Sequence, residues 1–270
     1  MNLASNTIKR LKSKYADWAL ITGASSGIGR ELALLLAEAG FKLIITGRRV
    51  QALEALSTEM FDKYQTECIP VPGDLSQRED LDHLLEQIAH LEVGIAILNA
   101  GYGTSGPFLK ADLNEELNML DLNCRAVLIM AQHFGLKMQA QNQKGAIVFL
   151  SSMVAFQGVP NAAHYAASKA YVQSLGEALA QELKSSSVDV LVSAPGPVAS
   201  GFAERANMRM NMSLEAKQVA VPIINAVGKK NFVIPGFLSK FLVYNLRMVP
   251  RWAKVRIMGL VMGGFTSHQS

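Results

Sequence analysis

The sequence predicts an α/β fold, a doubly wound parallel sheet in a single domain, on three observations. Seven short apolar runs recur along the chain, separated by longer stretches with helical spacing. Several runs are apolar throughout rather than alternating, as strands covered on both faces are. A glycine-rich segment lies between the first run and the first helical stretch, where an open α/β sheet places a ligand.

The expected strands are 19–21, 42–45, 69–71, 95–98, 146–150, 188–192 and 232–234. Between them, 30–39, 50–64, 78–91, 114–139 and 163–185 carry helical periodicity. This alternation implies right-handed crossovers between neighbouring parallel strands. No repeat or low-complexity linker interrupts the pattern, so 1–236 is read as the core of the domain and 237–270 as an appended basic, amphipathic helical extension.

Composition narrows the class. Half of the 270 residues are hydrophobic and 18% are charged, which excludes a disordered chain. Cys68 and Cys124 form no CxxC and have no cluster of His partners, so neither a disulfide framework nor a metal site is expected, and a cytoplasmic protein fits. The first fifteen residues are not patterned as a secretory signal, and no run of about 18 apolar residues is present to cross a bilayer. Charge is uneven: Glu215 is the last acidic residue, and eight Lys or Arg follow it.

The segment after the first strand reads Thr22-Gly23-Ala24-Ser25-Ser26-Gly27-Ile28-Gly29. Glycines at a strand-to-helix turn permit positive φ and let a pyrophosphate approach the backbone, while the helix N-terminus stabilises its charge. The second strand ends in Thr46-Gly47-Arg48-Arg49, without the carboxylate that accepts from the ribose 2′-hydroxyl of NAD. Guanidinium groups there suit a 2′-phosphate, so NADP(H) is expected in preference to NAD(H). Asp74-Leu75, Asn99-Ala100-Gly101 and Ser151-Ser152 stand at or near later strand ends; each alone also reads as a cap, a turn or a loop. Tyr165 and Lys169 are four residues apart, which on a helix puts both on one face, where an ammonium can stabilise a phenolate.

Taken together and in this order, these motifs resemble the short-chain dehydrogenase/reductase family over roughly 16–235. The resemblance implies a Rossmann-like fold and an oxidoreductase with Asn123, Ser152, Tyr165 and Lys169 as catalytic residues. It places the cofactor against Gly23, Ser25, Ser26, Gly27, Ile28, Gly29, Arg48, Asp74, Leu75, Asn99, Ala100, Gly101, Tyr165, Lys169, Pro195, Gly196, Val198 and Ser200. Two positions depart from the family pattern. Leu98 stands where a second asparagine is common, and Ser200 replaces the usual threonine, keeping its hydroxyl.

The expected chemistry is hydride delivery to a carbonyl carbon while Tyr165 protonates the oxygen and Ser152 hydrogen-bonds it. Lys169 tunes the tyrosine and holds the nicotinamide ribose, and the resemblance assigns Asn123 a water linking Lys169 to solvent. Bringing a phenol from near 10 toward 7 needs about 4 kcal/mol of differential stabilisation. Tyr102, Met153, Val154, Phe156, His164 and Phe202 are expected around the substrate, with Met208, Met210 and Met212 in the following loop. Such side chains suit a small apolar ketone, aldehyde or alcohol.

Beyond Gly236, Leu238, Phe241, Leu242, Leu246 and Val249 form one apolar stripe, and a second helix starts near Pro250 with Arg251, Lys254 and Arg256 among apolar residues. Two arrangements fit: packing on this domain or a second subunit, or peripheral contact with the inner face of a membrane, to either of which the basic segment 9–14 can add. A homodimer or homotetramer is implied by the resemblance, and no nucleic-acid module is found. The alternative function is a non-catalytic NADP-binding adaptor recruited by its tail; the four intact chemical groups weigh against it. Epimerisation or dehydration lacks an identifiable extra base.

Overall fold

The computed structural model describes residues 3–140, 144–209 and 213–266. Its strands are β1 (Trp18–Thr22), β2 (Lys42–Gly47), β3 (Cys68–Pro72), β4 (Val93–Leu98), β5 (Gly145–Leu150), β6 (Val188–Ser193), β7 (Val198–Ala199), β8 (Leu214–Glu215) and β9 (Phe232–Val233). Its helices are α1 (Ser5–Lys14), α2 (Gly27–Glu38), α3 (Val50–Tyr64), α4 (Arg78–Gln87), α5 (Leu113–Leu120), α6 (Val127–Ala140), α7 (Ala163–Glu182), α8 (Gly201–Arg205), α9 (Ala216–Ala226), α10 (Phe237–Arg247) and α11 (Arg251–Thr266).

Seven strands form one parallel sheet in the order β3-β2-β1-β4-β5-β6-β9, and β7 pairs with β8 in a separate two-stranded ribbon. The seven sheet strands are the seven expected. Successive side chains alternate between faces, and the two cores follow from that alternation. Ala19 and Ile21 of β1 and Ile95 and Ile97 of β4 pack toward α2, α3 and α9, whereas Leu20, Ala96 and Leu98 pack toward α4, α6 and α7. Because both faces are covered, the strands have no polar side to alternate with, which is why they read as continuous apolar runs. Connections leave β1 in one direction and β4 in the other. The order therefore reverses between these strands and opens a crevice at their carboxyl ends.

Several expected boundaries shift. The helix expected at 30–39 starts at Gly27, inside the glycine-rich segment; those expected at 78–91 and 163–185 end at Gln87 and Glu182. The stretch 114–139 is not one α-helix: a π-helical segment, Asp121–Ala126, separates α5 from α6. Besides the short α8, in the stretch after Ser200 that reads as a loop, two helices were not foreseen. One is α9, stabilised at its start by a capping box between Glu215 and Gln218. The other is α1, made from the basic segment, whose Thr7 hydroxyl bonds Asn225, whose Arg10 bonds the Val227 carbonyl, and whose Lys14 pairs with Asp189 at 2.7 Å. Part of the positive charge of 9–14 is thus used within the domain.

The close approach of α7 to the sheet depends on Gly176. A Cβ there would run into Val192 of β6 and Phe149 of β5. Overpacking of this kind costs about 1–3 kcal/mol. Gly176→Ala is therefore expected to lower stability by that amount in urea unfolding, with the midpoint moved and the slope unchanged.

Candidate active site

The crevice is a cavity of about 790 Å³, and its polar end is built from the turn after β1. Gly23 and Gly27 have φ of +67° and +57°, conformations that side chains disfavour. Gly29 is required for a different reason: a Cβ there would collide with the Gly23 carbonyl and the Asn99 amide. Ser26 provides no side-chain cap to α2, and the first turn of α2 contains no acid, so the helix presents free N–H groups and positive potential to the cavity. This donor set fits the pyrophosphate of a dinucleotide, held by Gly23, Ser25, Ser26, Gly27 and Ile28.

Thr22 closes the turn against β4. Its hydroxyl accepts the N–H groups of Asn99 and Ala100 at 2.9 and 2.8 Å, and the Asn99 amide donates back to the Thr22 carbonyl at 2.8 Å. Two polar side chains thus fix the strand ends that the cofactor must lie across.

At the outer end, Arg49 donates to the Ser25 carbonyl at 3.1 Å, bracing the turn, while Arg48 stands 3.7 Å from a carboxylate oxygen of Asp74. Both arginines line the cavity. Asp74 also accepts from the Ser76 amide and hydroxyl through its other oxygen, closing the turn ahead of α4 rather than capping the helix, whose N-cap is Gln77, and it stands in the cavity wall.

At the inner end, Ser152, Tyr165 and Lys169 meet in one wall, all buried. Lys169 comes from α7 and donates to the Leu150 carbonyl at the end of β5, at 2.9 Å. Burial lowers its pKa to about 8, and proximity to Cys124 opposes that change. The Tyr165 phenol is pushed up to about 12 by burial, partly offset by a hydrogen bond with Ser152. Of these two influences on the phenol, loss of hydration is the larger and the Ser152 hydrogen bond the smaller.

Asn123 lies behind this wall, fully buried in the π-helical segment, a local geometry often met at functional sites. Its amide donates to the Tyr102 carbonyl at 2.8 Å and to the Ser168 hydroxyl at 3.0 Å, and its oxygen accepts the Tyr102 N–H at 3.1 Å. Gly101 makes the junction possible: a Cβ on it would stand 2.8 Å from the Asn123 oxygen and 3.2 Å from the Lys169 ammonium nitrogen. Asn123 thus positions the loop after β4, and its oxygen faces the same point as Lys169.

Of the expected cofactor residues, Arg48, Asp74, Leu75, Asn99, Ala100, Gly101, Pro195, Gly196, Val198 and Ser200 line the cavity with the turn, and Gly29 packs beneath it. Ser200 caps α8 by accepting the Phe202 N–H and lies against Gly27.

Tyr102, Met153, Val154 and Phe202, expected around the substrate, line the cavity. The Phe202 ring packs on that of Tyr165, 5.3 Å between centroids. Tyr102 holds the backbone of α5 through its hydroxyl, and Arg205 stacks 3.8 Å above its ring.

Two expectations are corrected. Phe156 is turned away from the cavity and packs edge-on against Phe232, beside Ala194, Ile234 and Val243. His164 borders a separate cavity of about 220 Å³, because its side chain is rotated about 100° around α7 from that of Tyr165. Met208 lines the main cavity, whereas Met210 and Met212 lie outside the described residues.

The sequence reading missed the tail as a wall of the site. Leu242 and Leu246 of α10 and Met258 and Met262 of α11 line the same cavity as Ser152, Tyr165 and Lys169. The apolar stripe was the available signal, but it did not say which surface it faced.

Residues 17–211 match the short chain dehydrogenase family. The chain belongs to this family. It is 34% identical to a very-long-chain 3-oxoacyl-CoA reductase of Neurospora crassa over 70% of this chain, a match that takes in 58% of that protein's length. It is 30% identical to the 7beta-hydroxysteroid dehydrogenase of Clostridium sardiniense, over 68% of this chain and 70% of the relative. The human 17-beta-hydroxysteroid dehydrogenase type 3 is 29% identical over 91% of this chain and 79% of its own. A solved structure from work on 7beta-hydroxysteroid dehydrogenase stereoselectivity superimposes with a TM-score of 0.85 at 25% identity, covering 92% of this chain and 98% of its own. Solved folds of this kind are described with NADPH in one case, with a TM-score of 0.77, and with NAD in another, with a TM-score of 0.78.

The lowered Lys169 pKa has a stability consequence. Between about pH 8 and the ordinary lysine value of 10.5 the unfolded chain binds a proton at this lysine that the folded chain has released. Stability supplied by this site therefore rises with pH in that window. Relative to Lys169→Met, the wild type is expected to gain stability as pH rises from below 8 toward 10 in urea unfolding; a constant difference would contradict the assignment.

Proposed function

We propose that this protein is an NADPH-dependent reductase of an apolar ketone or aldehyde, with Tyr165 as proton donor. The observation that carries the reading is the single cleft joining an uncapped helix N-terminus and two arginines at one end to Ser152, Tyr165 and Lys169 at the other. When bound, the reduced nicotinamide supplies a hydride. The Tyr165 phenol, kept protonated at neutral pH by burial, donates its proton to the carbonyl oxygen. Ser152 places a second hydrogen bond on that oxygen as its charge develops. Lys169 holds positive charge beside the phenol, anchored by the Leu150 carbonyl. A protonated phenol suits reduction; the reverse reaction needs the phenolate that burial opposes.

The apolar wall of Met, Leu and Phe side chains supports a ring-bearing or long-chain carbonyl substrate, in line with the steroid and 3-oxoacyl names of the relatives. Arg48 and the absence of a carboxylate at the end of β2 support NADPH over NADH. Exposed leucines on α5 and α6, among them Leu113, Leu117, Leu128 and Leu136, support pairing of two subunits through the helices that flank Asn123.

Tyr165→Phe is expected to lower kcat by about 10²–10⁴, the usual worth of a positioned acid, with the NADPH dissociation constant essentially unchanged. Near wild-type turnover in that variant overturns the assignment. Arg48→Glu is expected to reverse the cofactor order: kcat/KM falls at least about tenfold with NADPH and not with NADH, since a charge-assisted contact to phosphate becomes a repulsion.

A further inference from the structure

We propose that the outward face of α10 and α11 docks on an anionic lipid bilayer and turns the mouth of the cleft toward the lipid. These helices are apolar on two sides. One side, with Leu242, Leu246, Met258 and Met262, closes the cleft. The other carries Phe237, Phe241, Tyr244 and Met248 at helical spacing on α10 and its end, and Trp252 and Leu260 on α11. None of these six lines the cleft, yet Phe237, Met248, Trp252 and Leu260 are 84, 89, 71 and 76% exposed. A set of large apolar side chains left in water on adjacent helices marks a contact surface.

Charge identifies what covers it. No acidic residue follows Glu215. Lys240, Arg251 and Arg256 are exposed among these apolar groups, and none forms an ion pair with a carboxylate among the described residues. Trp252, Arg256 and Leu260 recur at intervals of four on α11, so aromatic, cationic and aliphatic groups share one strip. Lysine and arginine beside buried tryptophan and phenylalanine is the pattern of a helix lying in a headgroup region. A second copy is the poorer occupant, since a two-fold contact would set this cationic face against itself.

The surface is continuous with the cleft. Ile257 and Val261 both line the cleft and reach solvent, so its rim lies on the same helix as the outward strip. Docking brings a lipid-dissolved carbonyl compound to that rim. Only the identity of what enters rests on the function proposed above; the docking itself does not. Among the described residues no helix is long and apolar enough to cross a membrane, so the contact is peripheral.

The test is co-sedimentation of the full-length protein with phosphatidylcholine vesicles, with and without phosphatidylserine. Binding is expected to the phosphatidylserine vesicles, to weaken as salt is raised, and to fall at least about tenfold in the double variant Phe241→Ser/Trp252→Ser. That variant is expected to keep wild-type NADPH-dependent turnover of a short water-soluble ketone, and Lys240→Glu/Arg256→Glu to lose the preference for phosphatidylserine. Vesicle binding by a protein with no reductase activity would defeat the proposed function and leave the docking standing. No sedimentation with either vesicle overturns the docking. So does undiminished binding by the Ser variant, or a vesicle-free dimer that the same two substitutions disperse.

Discussion

A lysine ammonium buried in the wall of a cleft has to be given an acceptor, and Lys169 finds it in the Leu150 carbonyl at the end of β5. That requirement ties α7 to the sheet at one place. It then sets the height of Tyr165, one turn earlier on the same helix, above the strand ends. Ser151 binds the Lys169 carbonyl from the same strand end at 3.0 Å, so the tie is made from both sides. The next residue, Ser152, meets the phenol. Gly101 admits the ammonium because it has no side chain, and Asn123 holds the Gly101-Tyr102 loop in place. The chemistry of the site is thus inseparable from how α7 is packed.

The cofactor end has an analogous dependence on backbone polar groups. The Thr22 hydroxyl and the Asn99 amide satisfy the ends of β1 and β4 where the sheet changes direction, and glycines keep the space between them free. Leaving α2 uncapped by a side chain is unfavourable for the isolated helix, and a bound phosphate reverses that. The tail completes the enclosure. With α10 and α11 lining its apolar end, the cleft sets a polar end that fits phosphate apart from an apolar end beside Ser152 and Tyr165.

Much of this was legible in the residues. The strands could be read because burial on both faces leaves only apolar side chains, and the candidate site because Ser152, Tyr165 and Lys169, spaced as the family resemblance requires, line one cavity. Other features depend on what an element meets, which spacing does not encode. His164 and Phe156 were placed by their nearness in sequence to Tyr165 and Ser152, but a neighbour one step along a helix points elsewhere, and Phe156 had Phe232 to pack against. The π-helical turn around Asn123 has no propensity signal, and the breadth of the apolar surface on α10 hid which part faces the cleft. A sequence shows which charged residue is spaced to meet the phenol, but not the hydration that burial removes from it.

The central claim, that this cleft transfers hydride to a carbonyl carbon, is tested most directly by isotope transfer. The wild-type protein is incubated with an apolar ketone and NADPH carrying deuterium at the transferable nicotinamide position, and the alcohol is examined by mass spectrometry and NMR. A single deuterium on the carbinol carbon, in one configuration, is the result the account predicts. No alcohol from any ketone in a ring-bearing and long-chain panel, or alcohol without the label, would contradict it.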